Sequence, residues 1–454
     1  MVKLTEQNRE QYNESILQAL KAEDVQQFRQ LFLELHPQDQ HDFFLGLDEA
    51  QREKVYEYLS PEEFAEIFQE LELEEQKDVI EELDQNYATN MFGEMSTDDV
   101  ADFLGEVPEA KVKTVLEGLE ADDAKDIREL LSYEEETAGA IMTKEFMNIP
   151  AEAALRDVIE LLRKEGPDAE TIYYLYVVNA KQELAGVVSL RDLITADPNK
   201  KVEDVMSTRV VSVNTGDDQE DVAKLFKKYD FLAVPVVTNN NTLVGIITVD
   251  DIIDVIEEEA TEDIGEFVAS RGATDVNITS FTAAKKRSPW IVMLMFFGLI
   301  TAGVIGTFEE TLEQIVVLAA FIPLIMDSAG NTGTQSLAVM VRSLATGSFE
   351  KKGMLNTVKR EFGTGLYLGV FCAITLMVVI PFIYDWNFML AGVVGVSLFI
   401  TLSIATIIGA VVPVIINKMK LDPAIASGPF ITTINDILGL MIYFSIATAL
   451  IQYL

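Results

Sequence analysis

Cysteine is almost missing from this chain: Cys372 stands alone among 454 residues. A single thiol excludes an intrachain disulfide and fits a reducing compartment. Its neighbours are apolar, so it reads as a small hydrophobe. Histidine is nearly as scarce. His36 and His41 lie in HPQDQH without the cysteine or carboxylate spacing of a zinc site, and both are expected at the surface. The opening MVKLTEQNRE lacks the apolar run of a cleavable leader. Also missing are a P-loop lysine, a GxSxG elbow and an HExxH helix, so no enzyme is expected.

Basic residues are rare where acids are densest. Residues 1–284 hold 24 Lys+Arg against 65 Asp+Glu, whereas from Lys285 onward the balance is 10 against 9. The acidic part excludes nucleic acid as a partner, because such binding rests on Lys and Arg at phosphates. That charge suits cations.

Up to about Glu136 the apolar residues recur at helical spacing: Phe64, Ile67, Phe68, Leu71; then Val100, Phe103, Leu104, Val107; then Val112, Val115, Leu116, Leu119. Ser60-Pro61-Glu62-Glu63 is a capping box with proline at the first helical position, and Ser96-Thr97-Asp98-Asp99 is a weaker version. LSPEEFAEIFQEL and MSTDDVADFLGEV read as copies of one helical unit. The expectation is an array of short helices, each burying its face on the next.

Residues 138–260 contain a second repeat. Ala140-Ile141-Met142-Thr143 is echoed by Asp204-Val205-Met206-Ser207, and GVVSLRDLI by GIITVDDII. Each copy has a helical stretch, an apolar strand, a turn, a second strand and a helix. Two such copies resemble a pair of cystathionine-β-synthase (CBS) modules. From Asp250 to Asp263 there follow eight acids and no base, with Asp251, Asp254, Glu258 and Glu262 on one helical stripe. Like charges at that spacing destabilise a helix unless something neutralises them.

After Lys285-Lys286-Arg287 the chain turns apolar. Five spans are expected, near 288–307, 314–341, 363–384, 388–416 and 425–453, each long enough for a hydrocarbon core of about 30 Å. The ten basic residues fall on one side of these spans, and Glu309, Glu310, Glu313 and Asp385 on the other. The positive-inside rule puts the first 284 residues in the cytoplasm and the C-terminus outside. Within the second span, Asp327, Asn331 and Gln335 share a helical face, with Pro323, Gly330 and Gly333 loosening the backbone. The fifth span carries Thr432, Thr433, Asn435 and Asp436. A carboxylate at mid-bilayer costs roughly 2.5–3.5 kcal/mol on insertion scales, so Asp436 marks an ion path. This polar set offers only oxygen ligands of the kind hard ions such as Mg²⁺ or Ca²⁺ prefer.

The order of parts resembles the MgtE family of bacterial magnesium channels, and PLIMDSAGNTGTQS and SGPFITTINDILG resemble its signature segments. The resemblance implies a multidomain fold: an all-α superhelical N-domain (1–137), α/β tandem CBS modules (138–200 and 201–250), an acidic connecting helix with its linker (251–284), and a five-helix α transmembrane bundle (285–454). It implies a homodimer in the bacterial plasma membrane, conducting Mg²⁺ through a pore on the dimer axis. Asp436 and Asn331 match the pore residues. Asp98, Asp102, Asp218, Glu220, Asp230, Asp251, Asp254, Glu259, Glu262, Asp263 and Asp422 match regulatory Mg²⁺ ligands that shut the pore. Tyr174, Arg191, Asp192 and Phe231 match an ATP site between the CBS modules. Two alternatives stay open: an ion-coupled secondary transporter of divalent cations, and a CBS-containing membrane sensor.

Overall fold

The computed structural model describes residues 4–5, 8–268, 279–345, 353–419 and 428–453. The chain divides into two compact units, Met1–Ile256 and Glu257–Leu454.

The first unit opens with short helices: α1 (Arg9–Lys21), α2 (Val25–Phe32), α3 (Pro37–Leu45), α4 (Glu49–Tyr58), α5 (Pro61–Phe68), α6 (Leu73–Glu82), α7 (Gln85–Phe92), α8 (Thr97–Gly105), α9 (Glu109–Gly118) and α10 (Ala121–Leu130). Helices this short are marginal alone and hold through packing. Local signals set their ends. At α5 the Ser60 hydroxyl accepts from the Glu63 N–H, and the Glu63 carboxylate accepts from the Ser60 N–H. At α8 the weaker box is not built: the Ser96 side chain makes no capping bond, and its hydroxyl donates to Asp99 Oδ2 at 2.6 Å instead. Phe64, Ile67, Phe68, Val100, Phe103 and Leu104 are buried. Phe68, Phe92 and Phe103 meet at ring-centroid distances of 5.5–5.7 Å, joining α5, α7 and α8. One expectation is corrected here. His41 is buried, not at the surface, with Nδ1 at 3.2 Å from Gln38 Nε2 and Nε2 at 3.9 Å from Glu75 on α6. His36 caps α3 by accepting from the Gln38 N–H.

The repeat at 138–260 builds two small sheets. β1 (Phe146–Pro150), α11 (Leu155–Glu165), β2 (Thr171–Val178), β3 (Leu184–Ser189) and α12 (Leu190–Thr195) form the first copy. β4 (Val213–Asn214), α13 (Gln219–Tyr229), β5 (Ala233–Val237), β6 (Leu243–Thr248) and α14 (Val249–Phe267) form the second. In each copy the first strand runs parallel to the second, and the second antiparallel to the third. The paired Met-Thr and Met-Ser motifs have a shared purpose. Thr143 bridges Ile246 of the other copy, and Ser207 bridges Val187. The crossing brings Met142 and Met206 so close to Gly245 and Gly186 that a Cβ there would lie 2.6 and 2.7 Å from sulfur. Each copy thus closes the sheet of its twin.

Among its described residues the second unit contains five helices long and apolar enough to cross a membrane. They are α15 (Ser280–Gly306), the run from a 3-10 turn at Val316–Phe321 into α17 (Ile322–Ala345), α18 (Met354–Ile383), α19 (Phe388–Lys418) and α20 (Gly428–Ala449); α16 (Glu309–Gln314) is a short connector. α18 begins well before the apolar run that marks it in the sequence. Its first turns bury Thr357 and Glu361, and Glu361 accepts from the Ser336 hydroxyl on α17 at 2.8 Å and from Arg360 at 3.0 Å. α19 is the most buried span and α15 the least. Cys372 is half-buried among apolar side chains, as its surroundings in sequence indicate.

Candidate ion path and acidic regulatory cluster

Pro323 is the second residue of α17, where the 3-10 turn gives way to the α-helix. Downstream, α17 has two faces. Ala329, Gly330, Thr332, Gly333, Ser336 and Leu337 are buried, whereas Asp327, Asn331 and Gln335 are exposed on the surface of the protomer. The buried face is built from close backbone approach. A Cβ on Gly330 would lie 2.6 Å from Thr432 Cγ2, one on Gly333 1.9 Å from Asn435 Nδ2, and one on Gly409 of α19 2.2 Å from the Gly333 carbonyl oxygen. Because that last contact is backbone, nothing flexible yields. Gly409→Ala is therefore expected to destabilise the bundle by about 1–3 kcal/mol, the usual range for overpacking. A lowered melting temperature in detergent checks this; an unchanged one contradicts the packing.

α17 and α20 line an open pocket of 370 Å³ with Ile322, Pro323, Met326, Asp327, Asn331, Thr432 and Asp436. Asp436 is half-buried, and its Oδ1 has no hydrogen-bond partner among the described residues. Asp436 and Asn331 thus share one pocket. Asn435 does not line it. That side chain is 2 % exposed, sits over Gly333 and leaves both amide atoms without a hydrogen-bond partner among the described residues. The Thr433 hydroxyl donates to the Pro429 carbonyl instead.

The second gathering is acidic and lies in the first unit. Asp98 on α8 is 8 % exposed, and its Oδ1 has no hydrogen-bond partner among the described residues. Burial, then the charges of Asp99 and Asp251, hold its carboxyl well above the usual range. Burial likewise raises Asp99 and Asp251, although Ser96 and Thr248 hydrogen bonds oppose the rise. Glu170, just before β2, is pushed up to about 7 by burial, with Asp251, Asp250 and Glu145 adding to it. Glu145 in turn accepts from the Thr97 N–H of α8 at 3.0 Å. Carboxylates from α8, from the first CBS copy and from the start of α14 thus repel one another across partly desolvated space. Among the described residues no three acids, histidines or cysteines stand close enough to hold a metal ion.

Of the other expected ligands, Asp102 is exposed on α8. Asp218 caps the start of α13 by accepting from the Glu220 N–H at 2.9 Å. Asp230 ends that helix at a left-handed φ of 55°. Glu220 pairs with Lys224 at 2.9 Å. Asp218 and Asp230 therefore do not converge within one protomer. On α14, Asp254 and Glu262 are exposed and Glu259 and Asp263 half-buried. Asp251 leaves the expected stripe to accept from the Thr248 hydroxyl at 2.6 Å. Asp422 lies outside the described residues. Tyr174 on β2 pairs with Ser189 on β3, whose hydroxyl donates to Asp192 at 2.6 Å, so Tyr174, Arg191 and Asp192 come from adjoining positions. Phe231 stacks on Tyr229 at 5.3 Å within a different core cluster. Sequence reading passed over Glu145, Glu170 and Asp250. Asp250 was visible in the acid run, but nothing local marks the two glutamates.

Comparison with known proteins covers 96% of the chain. The profile of the MgtE divalent cation transporters matches residues 322–446, that of the MgtE intracellular N domain 35–136, and that of the CBS domain 138–199 and 202–258. The magnesium transporter MgtE of Enterococcus faecalis is 44% identical over 440 residues, covering 96% of this chain and 97% of the relative. That of Bacillus subtilis is 47% identical over 335 residues, 74% of each. Among solved structures, the soluble part of a magnesium transporter is 46% identical with a TM-score of 0.53, covering 56% of this chain and 99% of its own. The cytosolic domain of the Mg²⁺ channel MgtE in complex with ATP is 38% identical with a TM-score of 0.52, covering 54% and 99%. On these grounds the chain belongs to the MgtE family of divalent cation transporters.

Proposed function

We propose that this protein is a Mg²⁺ channel of the bacterial plasma membrane, formed by two copies of the chain and closed by Mg²⁺ on its cytoplasmic acids. The observation that carries this reading is the exposed row Asp327, Asn331 and Gln335 on a membrane-spanning helix. Hydrocarbon does not tolerate such a row; it faces water or another chain. A twofold partner set against it encloses a polar, water-filled path and brings two Asp436 groups to the axis. Mg²⁺ sheds water reluctantly and is held well by carboxylates acting through its hydration shell. A site that leaves the water shell in place binds loosely enough to release the ion. Mg²⁺ transport by the relatives supports the choice of ion.

The gate is the acidic assembly. Two unit charges 10 Å apart in water repel by only about 0.4 kcal/mol, but the cluster around Asp98 is partly desolvated and its repulsions add up. Bound Mg²⁺ relieves them and draws the acids together. α14 carries acids of its own, and within the second unit its last residue, Phe267, packs against the cluster of Leu337 on α17 and Ile431 on α20. Several weak sites that favour one closed state give a steep response. The first 284 residues lie in the cytoplasm and the C-terminus outside. ATP binds between the CBS copies at Tyr174, Arg191, Asp192 and Phe231; the ATP complex of the similar cytosolic domain supports a nucleotide site.

Purified protein in liposomes holding a Mg²⁺-sensitive dye tests the reading: uptake that slows as internal Mg²⁺ rises is expected, and vesicles that stay impermeable under every internal condition refute it. In patch recordings, replacing Asp254, Glu258 and Glu259 with Ala is expected to shift inhibition to higher internal Mg²⁺; an unshifted curve removes α14 from the gate.

A further inference from the structure

We infer that Asp327 is a specificity-determining residue of the ion path, giving each protomer a second carboxylate at the level of Asp436. This rests on the channel reading above. Helix packing fixes the level. Gly330 of α17 lies against Thr432 of α20, and Gly439 lies against Ile325 and Ala329. Asp436, midway between Thr432 and Gly439, is therefore level with the turn of α17 that carries Asp327. Both carboxylates line the same pocket. Asp327 is exposed on the face that a second protomer must cover. Around a twofold axis the two pairs make one ring of four carboxylates rather than two.

The chemistry that follows is a choice of charge. A dication gains twice the Coulomb energy of a monovalent ion from the same ring. Each added carboxylate therefore widens the preference for Mg²⁺ over Na⁺ or K⁺. A ring of Asp436 alone separates them less. Thr432 and Asn331, on the same pocket, offer oxygens to the water shell but no charge.

The test uses the full chain in dye-loaded liposomes, with Mg²⁺ and Na⁺ flux measured for the wild type, Asp327→Asn and Asp327→Glu. Asp327→Asn is expected to raise the half-saturating Mg²⁺ concentration about tenfold, for loss of a nearby charge partly screened by water, and to lower the Mg²⁺-to-Na⁺ flux ratio. Asp327→Glu is expected to restore both. If the wild type conducts and Asp327→Asn matches it in both quantities, the assignment of Asp327 falls while the channel stands. If Asp327→Glu is as impaired as Asp327→Asn, the side chain acts through packing and the assignment also falls. A wild type that passes no Mg²⁺ overturns the channel reading and this inference with it.

Discussion

Asp436→Ala is expected to abolish Mg²⁺ uptake by proteoliposomes while leaving the five-helix unit folded. The carboxylate has one oxygen buried without a hydrogen-bond partner among the described residues and lies on an open pocket rather than in a packed seam. Its removal therefore breaks no hydrogen bond to Oδ1 and leaves no overpacked contact. The seam beside it is different. There Gly333 and Gly409 allow backbone contact, and Asn435 fills the space over Gly333. Loss of flux with an unchanged melting temperature and unchanged elution separates ion binding from folding. Normal uptake by the variant would remove Asp436 from the ion path.

A second large effect is expected from pH and Mg²⁺ on the acidic cluster. Asp98, Asp99, Asp251 and Glu170 all hold their protons more tightly folded than in an unfolded chain. Their favourable contribution is thus complete below the ordinary carboxylate range and is lost as pH rises through about 7, the value for Glu170. Without divalent ions, the first unit of the full-length protein in detergent is expected to melt several degrees lower at about pH 8 than at about pH 5.5, a shift worth one to two kcal/mol for a domain of this size. Millimolar Mg²⁺ is expected to cancel the difference, since a bound cation stabilises the state it binds. Glu170→Gln is expected to flatten the pH dependence. Melting that is independent of pH and of Mg²⁺ contradicts the repulsion on which the gate depends.

Local signals in the sequence were read well because local interactions create them. Ser60-Pro61-Glu62-Glu63 caps a helix through bonds made within four residues. The five spans follow from runs of apolar residues. The tandem repeat was visible as text, but its reason was not: Thr143 and Ser207 each bridge a strand of the other copy. The burial of His41 depends on the approach of Glu75 on α6, which no spacing near His41 announces. Glu145 and Glu170 are illegible for the same cause. They become significant only because the fold brings Asp98 and Asp251, from distant stretches of chain, to their side. The α17 face was legible as a polar row. That this row is left exposed, for water or another chain to cover, needed the packing of Gly330 and Gly333 against α20.

The central claim is that this row lines water through which the ion moves. Thiol access measures it most directly. In a Cys372→Ser background, Asn331→Cys places a thiol on the pocket, and Phe371→Cys places one on the outward face of α18, where Phe371 is 70% exposed. A charged, water-soluble thiol reagent is expected to modify the first and block Mg²⁺ flux, and to leave the second unreacted and conducting. An inert thiol at 331, or one that reacts without any change in flux, would contradict the account.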